Sequence, residues 1–463
     1  MRIISFDKEG WRARIDDNFT MENVARLADG AGAFWADKYP GAVVFVGYDT
    51  RIDADQYAMC AAEVLATYGL NVKLSNQACP LPALGFNIAN DTRACGGLMV
   101  TASGSPAEYQ GIYLRNNLGG VISSDDLYEI EQLIPQKAPL ARGSVDICDF
   151  MTVYKADLLS FINKKVIEQA NLKVVVDPMF GTGSDFLAGL LADLGVDVVE
   201  IHGDDDYEFA GIHPRPVEPW IDECERCTVN LSADAGFVLD GDGDRAGAID
   251  GGGHFINPHR QTALIIEHLL LNKSYSGRIV MPWAGSCYIS RQARYLDCPL
   301  TTVPTGFEWA SREMIKNSVL LASDSRGGVA IPSHLIERDG ILVILLLVEM
   351  MAISGMNMSQ LVEALDEKLG CMYYGRRDVE LEVAELQVLK NLLPGFAPEK
   401  VAGKLPIAIS HADGLRMQFG DESWILVRPS TQTSKVRIYA EAPTPSLRDT
   451  LISECVCMVR ALC

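Results

Sequence analysis

The stretch Val238-Leu239-Asp240-Gly241-Asp242-Gly243-Asp244-Arg245 restricts what this chain can build more than any other. It continues the apolar run Gly236-Phe237-Val238-Leu239, which reads as a buried strand, so the acidic loop falls at that strand's C-terminal end. Three carboxylates this close repel one another unless a cation neutralises them, and Gly241 and Gly243 let the backbone turn tightly enough to aim all three at one point. A few hard oxygen ligands suit Mg²⁺, which keeps its other positions for water or a phosphate oxygen. A solvated acidic turn is the plainer alternative. An EF-hand is excluded, because the twelfth position counted from Asp240, where that loop needs Glu, is Gly251.

At 463 residues the chain is too long for one ordinary core, and about three or four domains are expected. The formal charge of −21 argues against nucleic acid or an anionic membrane as partner, and it requires a local basic pocket for any anionic substrate. The cysteines are scattered singly; only Cys224 and Cys227 approach metal-ligand spacing, and no second pair completes a zinc site. No secretory signal opens the chain, so reduced thiols in a cytoplasm are expected. The longest apolar run, Ile341 to Val348, is far short of the roughly twenty residues of a membrane span and reads as a core helix.

Strand-like runs alternate with helical patterns through most of the chain. Ala42 to Gly47, Asn71 to Leu74 and Gly97 to Val100 read as strands of a first, mostly parallel sheet, with helices from about Met21 to Trp35 and Ala54 to Tyr68. Ligands collect outside the C-terminal ends of such strands, which singles out the loops Asp49 to Arg51 and Thr101 to Pro106. Gln136 to Ser144 reads as a linker. A second unit holds strands Leu172 to Val176 and Val196 to Ile201 and the acidic-loop strand; a third begins near Gly251. Gly181-Thr182-Gly183 lacks the third glycine of a dinucleotide fingerprint and reads as a tight turn. From Cys371 onward, alternating stretches such as Ser423 to Val427 predict an antiparallel sheet with two helices.

Thr101-Ala102-Ser103-Gly104-Ser105-Pro106 followed by Asp240 to Arg245 resembles the α-D-phosphohexomutases, the phosphoglucomutase/phosphomannomutase and phosphoglucosamine mutase enzymes. Phe6 to Arg12, Val46 to Arg51, Ala94 to Gly97, Thr305-Gly306-Phe307, Glu337 to Ile341, Asp413-Gly414 and Arg428-Pro429-Ser430 fit the family in the correct order, so the resemblance covers essentially the whole chain. It implies an α/β fold of four domains around a central cleft: three α/β domains with mixed sheets (1–143, 144–250, 251–370) and a C-terminal α+β domain (371–463). It also implies the chemistry. A phosphoserine at Ser103 gives its phosphoryl group to a sugar monophosphate, the bisphosphate reorients, and the other phosphate returns. Asp240, Asp242 and Asp244 hold Mg²⁺ with a phosphoserine oxygen of Ser103, Arg12 and Arg245 lie near the transferring phosphate, and Thr305, Gly306, Asp324, Arg326, Arg428 and Ser430 bind the substrate. A small-molecule sugar phosphate as partner, a hexose 1,6-bisphosphate activator, a monomer or homodimer and a cytoplasmic location go with that assignment. Ser103 is not a hydrolase nucleophile, since Thr101 and Ser105 stand where a Gly-x-Ser-x-Gly elbow needs glycine.

Several substrate loops depart from the family pattern. Gly104 and Ser105 replace His and Asn, and Tyr113 replaces a lysine that helps with proton transfer. Asp324-Ser325-Arg326-Gly327 stands for Glu-x-Ser-Gly, Thr431 for a glycine, and Glu308 for a lysine, where a carboxylate facing phosphate would repel it. Arg326 is expected to compensate as a bidentate phosphate ligand; Lys435 is a further cation for the cleft, and His334 reads as a solvated loop histidine, with a substitute acid/base as the other reading. These departures leave two other readings open: a non-catalytic relative that binds sugar phosphates in a regulatory role, and a hexose-bisphosphate-forming phosphotransferase.

Overall fold

The computed structural model describes residues 4–7, 9–15, 17–430 and 434–463. Thr431 lies outside the described residues. Four sheets organise the chain. The first runs, strand by strand, Gly10–Arg14, Tyr109–Asn116, Ala94–Val100, Val43–Tyr48, Asn71–Ser75 and Asp146–Cys148. Its first two joints are antiparallel and the others parallel, so the sheet is mixed. Period alone shows why the sequence pattern reads as mostly parallel: Tyr109–Asn116 is buried on both faces and carries no alternation to mark an antiparallel return. The strand Asp146–Cys148 carries this sheet past the linker.

The second sheet runs Phe255–Ile256, Ala246–Asp250, Ala235–Leu239, Lys173–Asp177, Asp197–Glu200, and the third Leu300–Val303, Arg278–Pro282, Val319–Ser323, Val329–Ala330. Both are parallel with antiparallel additions at one edge. The fourth, Tyr373–Glu380, Lys435–Ala442, Trp424–Pro429, Leu415–Gln418, Ala408–Ser410, is antiparallel throughout and is packed by the helices Val383–Leu392 and Pro445–Leu462. Three mixed α/β units and a C-terminal α+β unit match the expected fold class.

The apolar helix Gly340–Ser354 explains how the units join. Its residues Gly340 to Met351 are all buried, because it packs on strands of the second sheet and on the helices Lys164–Gln169 and Pro258–Glu267. Asp339 caps its start by accepting from Leu342 N at 2.9 Å, and Gly355 ends it at φ 66°. A single hydrophobic core runs from Phe45 and Leu84 of the first sheet's layer through Val176 and Leu239 to Leu346 and Leu361. Among the described residues no single helix is long and apolar enough to cross a membrane.

Candidate active site: a strained serine beside an acidic loop

Loops leaving the C-terminal ends of strands Val43–Tyr48, Ala94–Val100, Ala235–Leu239, Leu300–Val303 and Val319–Ser323 carry most of the site, while Arg12 lies within strand Gly10–Arg14 and Arg428 within Trp424–Pro429. Ser103 follows Val100 and is buried with φ 49°, a left-handed conformation that costs a non-glycine residue about 1 kcal/mol or more. Arg51 holds it there. Its Nη2 donates to the carbonyls of Ser103 (2.7 Å) and Ser105 (2.6 Å), and its Nη1 to those of Pro106 (2.9 Å) and Tyr109 (3.0 Å). Asp49 balances that guanidinium at 3.3 Å.

The acidic loop joins Ala235–Leu239 to Ala246–Asp250 as a hairpin, and the three carboxylates come within 4.8 Å of one another at their ligand atoms. All three are buried. At such separations each like-charged pair costs about 4 kcal/mol at an effective dielectric near that of a protein surface. Burial and then Asp244 accordingly push Asp242 up to about 7, and burial followed by Asp244 and Asp242 raises Asp240 well above the ordinary carboxylate range. Among the described residues Asp242 Oδ1 and Asp244 Oδ1 have no hydrogen-bond partner, although Arg245 Nη1 lies 3.0 Å from the latter as an ion pair. Hard oxygens left open at one point fit a divalent cation. A solvated acidic turn is inconsistent with this burial.

The loop backbone is pinned from two directions. Leu81 N, at the start of the helix Leu81–Ala89, donates to Asp242 O at 2.9 Å, and Gly340 N donates to Gly243 O at 3.0 Å. Gly340 sits so close that a Cβ there would lie 2.6 Å from the Arg245 carbonyl carbon. The acidic loop is thus the junction of three units.

Ser103 Oγ lies 3.2 Å from Asp240 Oδ2 and accepts from Arg245 Nη1 at 3.4 Å. Arg245 also pairs with Asp240 (3.0 Å) and, through Nε, with Asp324 (3.3 Å). Arg12 donates to Ser105 Oγ at 2.8 Å and to the Tyr113 hydroxyl, over whose ring it also lies. Burial pushes the Tyr113 hydroxyl upward, so it stays protonated and is no base at neutral pH. Arg338 pairs with Asp244 (2.8 Å), with Glu9 (2.8 Å) and with Glu337 (3.2 Å), giving the acidic loop a second counter-charge.

The far side of the cleft is built by the third and fourth units. Asp324 Oδ1 accepts from the backbone of Arg326 (2.6 Å) and Gly328 (2.9 Å) and so shapes its own loop. Burial acts to raise its carboxyl, but Arg245, Arg338 and Arg326 hold it at about 2. Arg326 is exposed at the cleft mouth, where Arg245 foremost, then partial desolvation and the charges of Arg376 and Arg338, bring it down to about 10. Thr305 N and Arg428 Nε both donate to Asp413, each at 2.8 Å, and Arg428 reaches Thr305 O at 3.3 Å. Gly306, at φ 139°, starts the helix Phe307–Lys316, and Ser430 is buried at the end of strand Trp424–Pro429.

Three expectations change. Glu308 does not face a phosphate: it accepts from Ser124 N at 3.0 Å and from the Ser124 hydroxyl at the start of the helix Ser124–Leu133, and Arg312 neutralises it at 2.6 Å. A helix N-terminus attracts a carboxylate, which turns Glu308 out of the cleft. His334 is neither solvated nor a cleft acid/base; its side chain is fully buried between Asp157 (2.6 Å) and Asp339 (2.9 Å), against the ring of Phe86. Lys435 pairs with Glu380 at 2.9 Å along the fourth sheet.

Sequence reasoning gave Arg51 and Arg338 no role and missed Arg215 and Arg376. Arg215 had a signal: a lone basic residue between prolines, His213-Pro214-Arg215-Pro216, just after the acidic Asp204-Asp205-Asp206.

Carboxylates able to hold a cation, a strained serine against them and guanidinium groups around both meet at one place. The chain matches phosphoglucomutase/phosphomannomutase alpha/beta/alpha domain I over residues 4–140, domain II over 152–253 and domain III over 257–369. It is 28% identical over 405 residues to a phosphoglucomutase/phosphomannomutase of Thermococcus kodakarensis, covering 86% of each chain. It is 26% identical over 469 residues to a phosphoglucosamine mutase of Carboxydothermus hydrogenoformans, covering 99% of each. A crystal structure from Thermus thermophilus, provisionally named a phosphomannomutase, superposes with a TM-score of 0.89 at 30% identity over 99% of both chains. The chain belongs to the phosphoglucomutase/phosphomannomutase family of phosphohexomutase enzymes.

Proposed function

We propose that the protein interconverts hexose 1-phosphate and hexose 6-phosphate through a phosphoserine at Ser103 and a hexose bisphosphate intermediate. The observation that carries this reading is the placement of Ser103 Oγ, 3.2 Å from Asp240 and 3.4 Å from Arg245. Phosphoryl transfer asks little covalent work of a protein and depends on positioning and charge neutralisation. When the sugar hydroxyl attacks phosphorus, its new O–P bond forms as the bond to Ser103 Oγ breaks, the hydroxyl's proton passes to that serine oxygen, and the negative charge developing there lies within reach of Arg245 Nη1. Arg12, anchored on Ser105 and Tyr113, flanks the same group. Asp240, Asp242 and Asp244 would hold Mg²⁺, together with an oxygen of the Ser103 phosphoryl group. The cation, when bound, supplies Lewis-acid polarisation of that group. Thr305, Gly306, Asp324, Arg326, Arg428 and Ser430 form the substrate side, with Arg326 an exposed cation among them. Hexose 1,6-bisphosphate is the activator that charges Ser103. A cytoplasmic monomer or homodimer acting on a small sugar phosphate completes the reading, over four units at 1–143, 144–250, 251–370 and 371–463.

Intact-mass measurement tests it. Incubation with Mg²⁺ and glucose 1,6-bisphosphate is expected to add one phosphoryl group to the wild type and none to Ser103→Ala. Unmodified wild-type protein under those conditions would overturn the assignment. Charged protein offered glucose, mannose and glucosamine phosphates side by side then names the sugar.

A further inference from the structure

The loop that carries Ser103 has no side chain at position 104, where the family pattern has histidine, and that space is filled from the second unit. A Cβ on Gly104 would collide with Arg215 Cγ and would lie 3.0 Å from Pro214 O and 3.3 Å from Arg215 Nε. Arg215 Nε donates to Gly104 O. Pro214 O accepts from Gly241 N at 3.3 Å, so the Pro214-Arg215 turn rests on the serine loop and the acidic loop together.

Arg215 differs from the other cations beside Ser103 in having neither an acid nor a side-chain hydroxyl as its partner among the described residues. Arg245 has Asp240, Asp244 and Asp324; Arg51 has Asp49; Arg338 has Asp244, Glu9 and Glu337. Arg12 has hydroxyl acceptors in Ser105 and Tyr113. Arg215 has one backbone carbonyl on Nε, and its two terminal nitrogens have no protein partner among the described residues, while the residue is exposed to solvent. Its surroundings are cationic: after burial, the charges that lower its pKa belong to Arg12, Arg376 and Arg245, with only Tyr113 opposing. A guanidinium that gives one N–H to fix its orientation and keeps a planar pair of donors open among like charges is arranged for a dianion with oxygens to share.

We propose that Arg215 is a phosphate-binding residue of the reaction centre, whose open Nη donors take oxygens of the phosphoryl group carried at Ser103, in place of the side chain that Gly104 lacks. The glycine is then required, because any side chain at 104 displaces the arginine. This inference rests on the phosphoserine reading of Ser103 and adds a second, separable claim.

The test uses the full chain, Mg²⁺ and glucose 1,6-bisphosphate, following phosphoryl uptake by intact mass and its transfer to glucose 6-phosphate in single turnover. Arg215→Gln is expected to slow both by about 10²–10³-fold, with Arg215→Lys recovering part of the loss because it restores charge without the fork. Gly104→Ala, which leaves Arg215 in the chain but pushes on its Cγ, is expected to show the same defect at smaller size. Wild type that takes up no phosphoryl group overturns the Ser103 reading itself. Wild type that is charged normally while Arg215→Gln keeps its rates overturns the role of Arg215 alone. Should Arg215→Gln fail to fold, Gly104→Ala decides, and unchanged rates in it overturn the proposal.

Discussion

Two clusters of buried charge lie in the joined core and behave as opposites. Glu349, in the middle of the apolar helix Gly340–Ser354, accepts from Asn163 N (2.6 Å), His268 Nε2 (2.7 Å) and Lys273 Nζ (2.9 and 3.0 Å), which uses both of its oxygens and holds its carboxyl below the ordinary range despite burial. Asp240, Asp242 and Asp244 gather three carboxylates, leave two oxygens without a hydrogen bond among the described residues and sit beside a serine in a left-handed conformation. The first cluster is closed: every lone pair has a donor, and nothing is left to bind. The second is held in a state the protein alone does not satisfy. Burial of charge is common to both, so burial does not mark a site; unspent hydrogen-bonding capacity, with strain beside it, does.

Replacing Asp242 by Asn should break the open cluster with the largest effect. Phosphoryl transfer should fall by about 10⁴-fold, roughly 5 kcal/mol of barrier, while metal-free protein melts at a higher temperature because a like-charge repulsion is gone. Calorimetry and single-turnover assays read the two sides, and a lower melting temperature would contradict the repulsion argument. Glu349→Ala should do the reverse, costing roughly 4 kcal/mol of stability in urea titrations because His268 and Lys273 lose their counter-ion, with kcat unchanged where the variant is folded.

His334 tests whether a third buried charge also belongs to the closed kind. Burial alone would lower its pKa, but Asp157 and Asp339 raise it to about 9. A raised histidine pKa stabilises the fold fully below the unfolded value near 6.5 and loses that contribution as pH climbs through about 9. The wild type should therefore exceed His334→Gln by roughly 3 kcal/mol at pH 6, with the gap closing by pH 9.5; a pH-independent gap would show that the imidazole is neutral. Smallest of all, Glu308→Gln should cost about 1 kcal/mol at the Ser124 helix terminus and leave KM for sugar phosphate where it was. A large drop in KM would return Glu308 to the cleft.

The open cluster was legible because its parts are local. Asp240, Asp242 and Asp244 stand two residues apart after an apolar run, and Ser103 stands three residues past another strand, so period and turn chemistry place them without knowledge of the whole. The closed contacts were not legible in that way. Glu308 meets Ser124 across 184 residues, Arg215 meets Gly104 across 111, and His334 meets Asp157 across 177. A motif position says which loop a residue belongs to, while its partner is settled by how separate units dock. For that reason the same sequence reading that found the carboxylates turned Glu308 toward a phosphate, left His334 to solvent or the cleft, and overlooked Arg215. Secondary structure was missed in Tyr109–Asn116, buried on both faces, and also in the short exposed strand Asp146–Cys148 and the helices Ser124–Leu133, Met151–Phe161 and Asp222–Asn230.

The amides of Leu81 and Gly340, from two different units, hold the carbonyls of Asp242 and Gly243 in the acidic loop. A nascent chain has made the loop long before it has made residue 340, and a chain that ends early has no donor for Gly243. The anchoring of the acidic loop is therefore a late event in assembly, completed by docking rather than by local folding. Those two amide protons also report on it: hydrogen exchange at Leu81 and Gly340 should slow together when the units close and quicken together when they part, with no substrate present.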